Sequence, residues 1–73
     1  MTKEEAKKKI EHLEYYKNGF YMLSGCRVEA QNVRMRKDKV IADITFHKWE
    51  GEAQERYNNC EYPLEVLENI SVK

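Results

Sequence analysis

Residues 28–46 read VEAQNVRMRKDKVIADITF, and the parity of their apolar positions decides the fold. Val28 and Ala30 fall on one face of an extended chain, whereas Val33 and Met35 fall on a face of the opposite parity. One extra residue near Gln31-Asn32, a β-bulge, returns all four to a single face. A tight turn at Lys37-Asp38 then sets Met35 opposite Val40, Val33 opposite Ala42, Ala30 opposite Ile44 and Val28 opposite Phe46, four apolar pairs.

Working outward toward the C-terminus, Gly51-Glu52 offers a two-residue turn with Gly first, as a type II′ turn prefers. That turn sets Lys48 opposite Glu55 and Phe46 opposite Tyr57. A second bulge at Asn58-Asn59 then continues the face, with Ile44 opposite Cys60, Ala42 opposite Tyr62 and Val40 near Leu64. Bulges on both strands flanking a central one predict a strongly bent sheet. Pro63 should end the third strand, and Leu64, Leu67 and Ile70 should form a short helical turn before an edge strand over 70–72.

Toward the N-terminus the period changes to that of a helix. Thr2 and Glu5 form a capping box, and Asn18-Gly19 supplies the stop, so a helix is expected over 3–17. Ala6, Ile10, Leu13 and Tyr16 recur as its apolar stripe, with Glu4/Lys8, Glu5/Lys9 and Lys7/Glu11 as partners one turn apart on the wet side. The fold class is therefore α+β: one domain over 1–73, an amphipathic helix packed on a bent antiparallel meander with strands over about 26–36, 39–49 and 53–62. That layout is similar to an SH3-like or Tudor-like small barrel or half-barrel.

Thirteen basic and thirteen acidic residues give a formal charge of zero, so no global field draws the chain toward a polyanion. Locally the balance differs. Arg27, Arg34, Arg36, Lys37, Lys39 and Lys48 face only Glu29, Asp38 and Asp43 within residues 27–49, whereas residues 50–73 hold six glutamates against Arg56 and Lys73. No apolar run approaches the ~20 residues of a membrane span, and the N-terminus lacks the apolar core of a signal peptide; a cytoplasmic protein with no membrane partner is expected. In that compartment Cys26 and Cys60 are expected as packed, reduced thiols.

No phosphate loop, nucleophile elbow or zinc-protease helix is present, and the three glycines are each explained by a turn. Cys26, Cys60, His12 and His47 lack paired ligand spacing, so no metal and no cofactor is expected. Neither cysteine shares a face with His47, which argues against a thiol nucleophile. A catalytic constellation is absent from the sequence, and a non-enzymatic protein is expected.

The outward face of the meander carries the candidate binding residues. The expected register puts Arg27, His47 and Arg56 in a row with Trp49 one step along, and the hairpin tip adds Arg34, Arg36 and Lys39 around Ile41, with Lys48 nearby. Cations beside an aromatic suit single-stranded nucleic acid, or a small anionic nucleotide held by a homo-oligomer; the competing readings are an ordinary polar face and charges that block sheet-to-sheet aggregation. Tyr15, Tyr16, Phe20 and Tyr21 gather where helix meets sheet and are read chiefly as core, although exposed tyrosines favour protein interfaces. The leading functional expectation is a protein-binding module, an inhibitor or adaptor of a host protein of the kind phages and other mobile elements encode as short single domains.

Overall fold

A computed structural model describes residues 1–17, 27–47 and 54–71. Helix α1 spans Lys3–Lys17, strands β1, β2 and β3 span Arg27–Met35, Lys39–His47 and Glu55–Pro63, and a short helix α2 spans Leu64–Glu68. The expected capping box closes α1: the Glu5 N–H donates to Thr2 Oγ1 at 3.1 Å, and the Thr2 N–H reaches Glu5 Oε1 at 3.4 Å. Lys7 and Glu11 form the expected ion pair one turn apart.

Among the described residues the sheet is antiparallel in the order β1-β2-β3, with α1 and α2 on one face. Met35 pairs with Val40, Ala30 with Ile44 and Val28 with Phe46, as the parity of the apolar positions requires. Arg36 N–H donates to the Lys39 carbonyl at 2.9 Å, closing the two-residue turn at Lys37-Asp38. The first bulge lies where the parity slips. Gln31 opposes Asp43 and Arg34 opposes Ile41, so Asn32 and Val33 together face Ala42. The second lies at Asn58-Asn59, which together face Asp43. Each bulge turns on an asparagine in the left-handed region, Asn32 at φ 52° and Asn59 at φ 58°. Asparagine is the side chain that tolerates this region best after glycine.

The β2–β3 register corrects the expected one by two residues. Val40 pairs with Tyr62, Ala42 with Cys60, Ile44 with Tyr57 and Phe46 with Glu55. Sliding a tight connection by one residue shifts its pairing by two, which leaves every side chain on its original face and so escapes an argument from parity. The expected Gly51-Glu52 turn and Lys48 lie outside the described residues. Phe46 and Tyr57 still meet diagonally, with ring centroids 5.8 Å apart in an edge-on arrangement.

The core comprises Ala6 and Ile10 of α1, Ala30, Val40, Ala42, Ile44, Phe46 and Tyr62 of the sheet, and Leu67 of α2. The helix stripe departs from expectation at its end. Glu14 is buried against Tyr62, and Tyr16 is 70% exposed. The Leu64 N–H donates to the Asp38 carbonyl at 3.0 Å, tying α2 to the β1–β2 turn. Among the described residues the sheet does not close into a barrel. Ile70 and Ser71 belong to no strand, and Leu67 and Ile70 pack inward on the core; Val72, the last residue of the expected edge strand over 70–72, lies outside the described residues.

Candidate functional site

The outward face of the sheet is organised by one carboxylate. Asp43, at the centre of β2, is buried and lies between the two bulges. Its Oδ2 accepts from Asn32 Nδ2 at 2.9 Å, and its Oδ1 accepts from the Asn59 N–H at 2.9 Å and from Arg34 Nη2 at 3.2 Å. Arg56 Nη2 approaches Oδ2 at 3.5 Å. The Asn32 amide and the Asn59 N–H, followed by the two guanidinium charges, hold the Asp43 carboxyl below the usual carboxylate range against the opposing effect of burial. Arg34 is further engaged, donating from Nη1 to Asn59 Oδ1 at 2.9 Å and from Nε to the Asn32 carbonyl at 3.0 Å, and Arg56 Nε donates to Asn58 Oδ1 at 2.9 Å.

The row of cations read from the sequence is thus only partly assembled. Arg27 does pair with His47 across the strands, but Arg56 stands opposite Thr45, two positions from the expected place. His47 Nε2–H donates to Glu29 Oε1 at 2.8 Å, and that hydrogen bond holds the Glu29 carboxyl below its ordinary range. Lys39 joins Glu61 at 2.8 Å, an arrangement that raises the ammonium's pKa. The Arg36 guanidinium donates to the Met35 carbonyl at 3.1 Å on the exposed turn. Lys48 and Trp49 lie outside the described residues. Arg34, Lys39, His47 and Arg56 are accordingly each paired with a carboxylate of their own chain. Only Arg27 and Arg36 among the described candidates present cations without such a partner.

At a second locus Tyr15 and Tyr16, expected chiefly as core, are exposed. His12, Tyr15 and Tyr16 come from consecutive turns at the end of α1, and Phe20 and Tyr21, grouped with them from the sequence, lie outside the described residues. Tyr15 is 45% exposed. The His12 and Tyr16 rings lie 4.6 Å apart and the Tyr15 and Tyr16 rings 5.6 Å apart, both tilted. With Lys8, Glu11, Arg27, Val28 and Ser71 these rings line a cleft of about 700 Å³ between α1 and the start of β1. Glu11 forms its wall, reaching across to accept from the Ala30 N–H at 2.9 Å. The available signal was helical phase: Tyr15 and Tyr16 are displaced from the Ala6–Ile10 line by more than a quarter turn.

Among the described residues no group of three potential metal ligands is gathered. No described helix is long and apolar enough to cross a membrane. Cys60 carries a free thiol whose pKa is raised chiefly by burial, and its Sγ lies 3.5 Å from the Tyr57 carbonyl; Cys26 is outside the described residues.

The chain matches no protein-family model, no curated protein and no solved structure. Its chemistry therefore rests on the two loci themselves. At the Asp43 locus both arginines are engaged by one carboxylate, while the α1–β1 cleft exposes aromatic surface beside cations that have no carboxylate in ion-pair contact among the described residues.

Proposed function

We propose that this chain is a small non-enzymatic protein-binding module that serves as an inhibitor or adaptor, with the α1–β1 cleft as its recognition surface. The observation that carries the reading is the gathering of three rings in one cleft, half-buried His12 with exposed Tyr15 and Tyr16. Tyrosine combines a large apolar ring with a hydroxyl that is content in water, and it is enriched where proteins meet. The pairing of Arg34, His47 and Arg56 with Asp43 and Glu29 weighs against a nucleic-acid groove on the outer sheet face, because phosphate would have to displace carboxylates already in place. Affinity-tagged full-length chain incubated with cell lysate should retain a stoichiometric protein partner. The Tyr15→Ser/Tyr16→Ser double variant, checked for folding by circular dichroism, should lose it. Retention of no stoichiometric protein, or equal retention by the double variant, overturns the proposal.

A further inference from the structure

We infer that the α1–β1 cleft takes an acidic segment of a partner protein that carries an apolar or aromatic anchor, an inference that rests on the protein-binding reading above. Charge supplies the first argument. Lys8 and Arg27 line the cleft, and among the described residues neither lies within ion-pair distance of a carboxylate. Glu11, the acid in the lining, is already engaged by Lys7 and by the Ala30 N–H. A chain with zero formal charge therefore offers a locally positive cleft.

The aromatic wall supplies the second. Tyr15, Tyr16 and His12 present ring faces and edges suited to a proline, an aromatic or an aliphatic anchor. The volume of about 700 Å³ falls within the range of small-molecule sites, but such sites enclose most of their ligand. Here Tyr16 is 70% exposed, so a compact ligand would stay largely wet, whereas an extended segment can lie across the rings and bury them. Two cations without an ion pair among the described residues suit a short acidic run better than a polyanion backbone, which is tracked by a longer file of charges. Glu11 also bears on the mode of docking. By occupying the Ala30 N–H it blocks strand addition to β1 at that position, which favours recognition through side chains.

The test pans a random twelve-residue peptide library on immobilised full-length chain. The strongest peptide is then titrated into ¹⁵N-labelled protein at low and moderate salt. Enriched peptides should combine Asp or Glu with Trp, Phe, Leu or Pro, and should shift amides of Lys8, His12, Tyr15, Tyr16, Arg27 and Val28. Affinity should fall at least tenfold in Arg27→Glu and in Tyr16→Ala, both exposed positions, and should hold within twofold in Arg36→Glu at the hairpin tip. Failure to enrich any peptide, enrichment of neutral or basic peptides, or indifference to Arg27→Glu overturns the inference. So does saturable movement of the same amides by adenosine monophosphate or a single-stranded oligonucleotide when the peptide moves none. A lysate partner that depends on Tyr15 and Tyr16 but survives Arg27→Glu leaves the protein-binding reading standing and removes only its acidic specificity.

Discussion

Replacing each bulge asparagine by glycine, and then by alanine, separates two ways of holding a bent strand. Asn32 and Asn59 share a left-handed backbone, but they reach Asp43 differently: Asn32 through its side-chain Nδ2, Asn59 through its backbone N–H. Asn32→Gly keeps the backbone comfortable and deletes a hydrogen bond to a charged, buried acceptor, a loss of about 1.5–3 kcal/mol. Relief of the asparagine's own left-handed strain offsets part of it, and a net loss of ~1–2 kcal/mol is expected. Asn59→Gly retains the N–H to Asp43 and forfeits only the exposed contact from Arg34 to Asn59 Oδ1, so its net change should lie within ~0.5 kcal/mol of zero. Alanine adds a β-carbon without a polar tip at φ 52° or 58°, costing a further ~1–2 kcal/mol at either site. For a domain of this length each kcal/mol moves the melting temperature by roughly 4–8 °C. Guanidinium unfolding followed by far-ultraviolet circular dichroism measures all four variants. Equal losses for Asn32→Gly and Asn59→Gly would refute the reasoning, as would an alanine variant no worse than its glycine counterpart.

Three further outcomes follow from the core and from the displaced pKa values. Ile10→Ala should remove about 2–5 kcal/mol, comparable with the whole stability of a core this small, whereas Val66→Ala at a 41% exposed position should change it by less than ~0.5 kcal/mol in the same unfolding experiment. The folded Asp43 carboxyl ionises below its unfolded value, so its contribution is complete above the ordinary carboxylate range and is lost as pH falls through and below that range; the denaturation midpoint should drop between pH 5 and pH 3, and Asp43→Asn should flatten that slope. Tyr62 shifts the opposite way. Burial, then the Glu14 carboxylate, raises its phenol's pKa, so its contribution is complete below the unfolded value near 10 and is lost above it, and absorbance at 295 nm should show one tyrosine ionising only as the chain unfolds, a step missing in Tyr62→Phe.

The helix cap, the Lys37-Asp38 turn and both bulges were legible because each is a local event. A capping box lies within four residues, and a parity slip shows in a single strand. The β2–β3 register was not legible in the same way, since a slide of two residues preserves both faces and differs only in which inward residues meet. The helix face illustrates another limit. Ala6, Ile10 and Glu14 follow one another at intervals of four, a gently winding stripe along α1, but the negative charge at position 14 hid it from a reading by apolarity. Tyr16 lies six residues beyond Ile10, about 240° round the helix, and cannot share that stripe. Burial of Glu14 against Tyr62 is a tertiary fact that helix periodicity does not contain. The same holds for the sheet's cations, because a long arginine side chain chooses its carboxylate in space, and a residue count registers only that the charge is there.

Asp43 links the shape of the sheet to the placement of recognition. A bulge takes a backbone N–H out of the ladder, and a buried N–H left without a partner costs a full desolvation penalty. The Asp43 carboxylate meets that need at Asn59 and also holds the side chain of the opposite bulge residue, Asn32, so one group holds the bulges of both flanking strands. A carboxylate buried there must itself be balanced, and Arg34 and Arg56 lie across it for that purpose. The outer face therefore carries its arginines as part of the fold. A partner drawn to them would compete with the carboxylate that joins the two bulges, whereas a partner at Lys8 and Arg27 would meet no ion pair among the described residues.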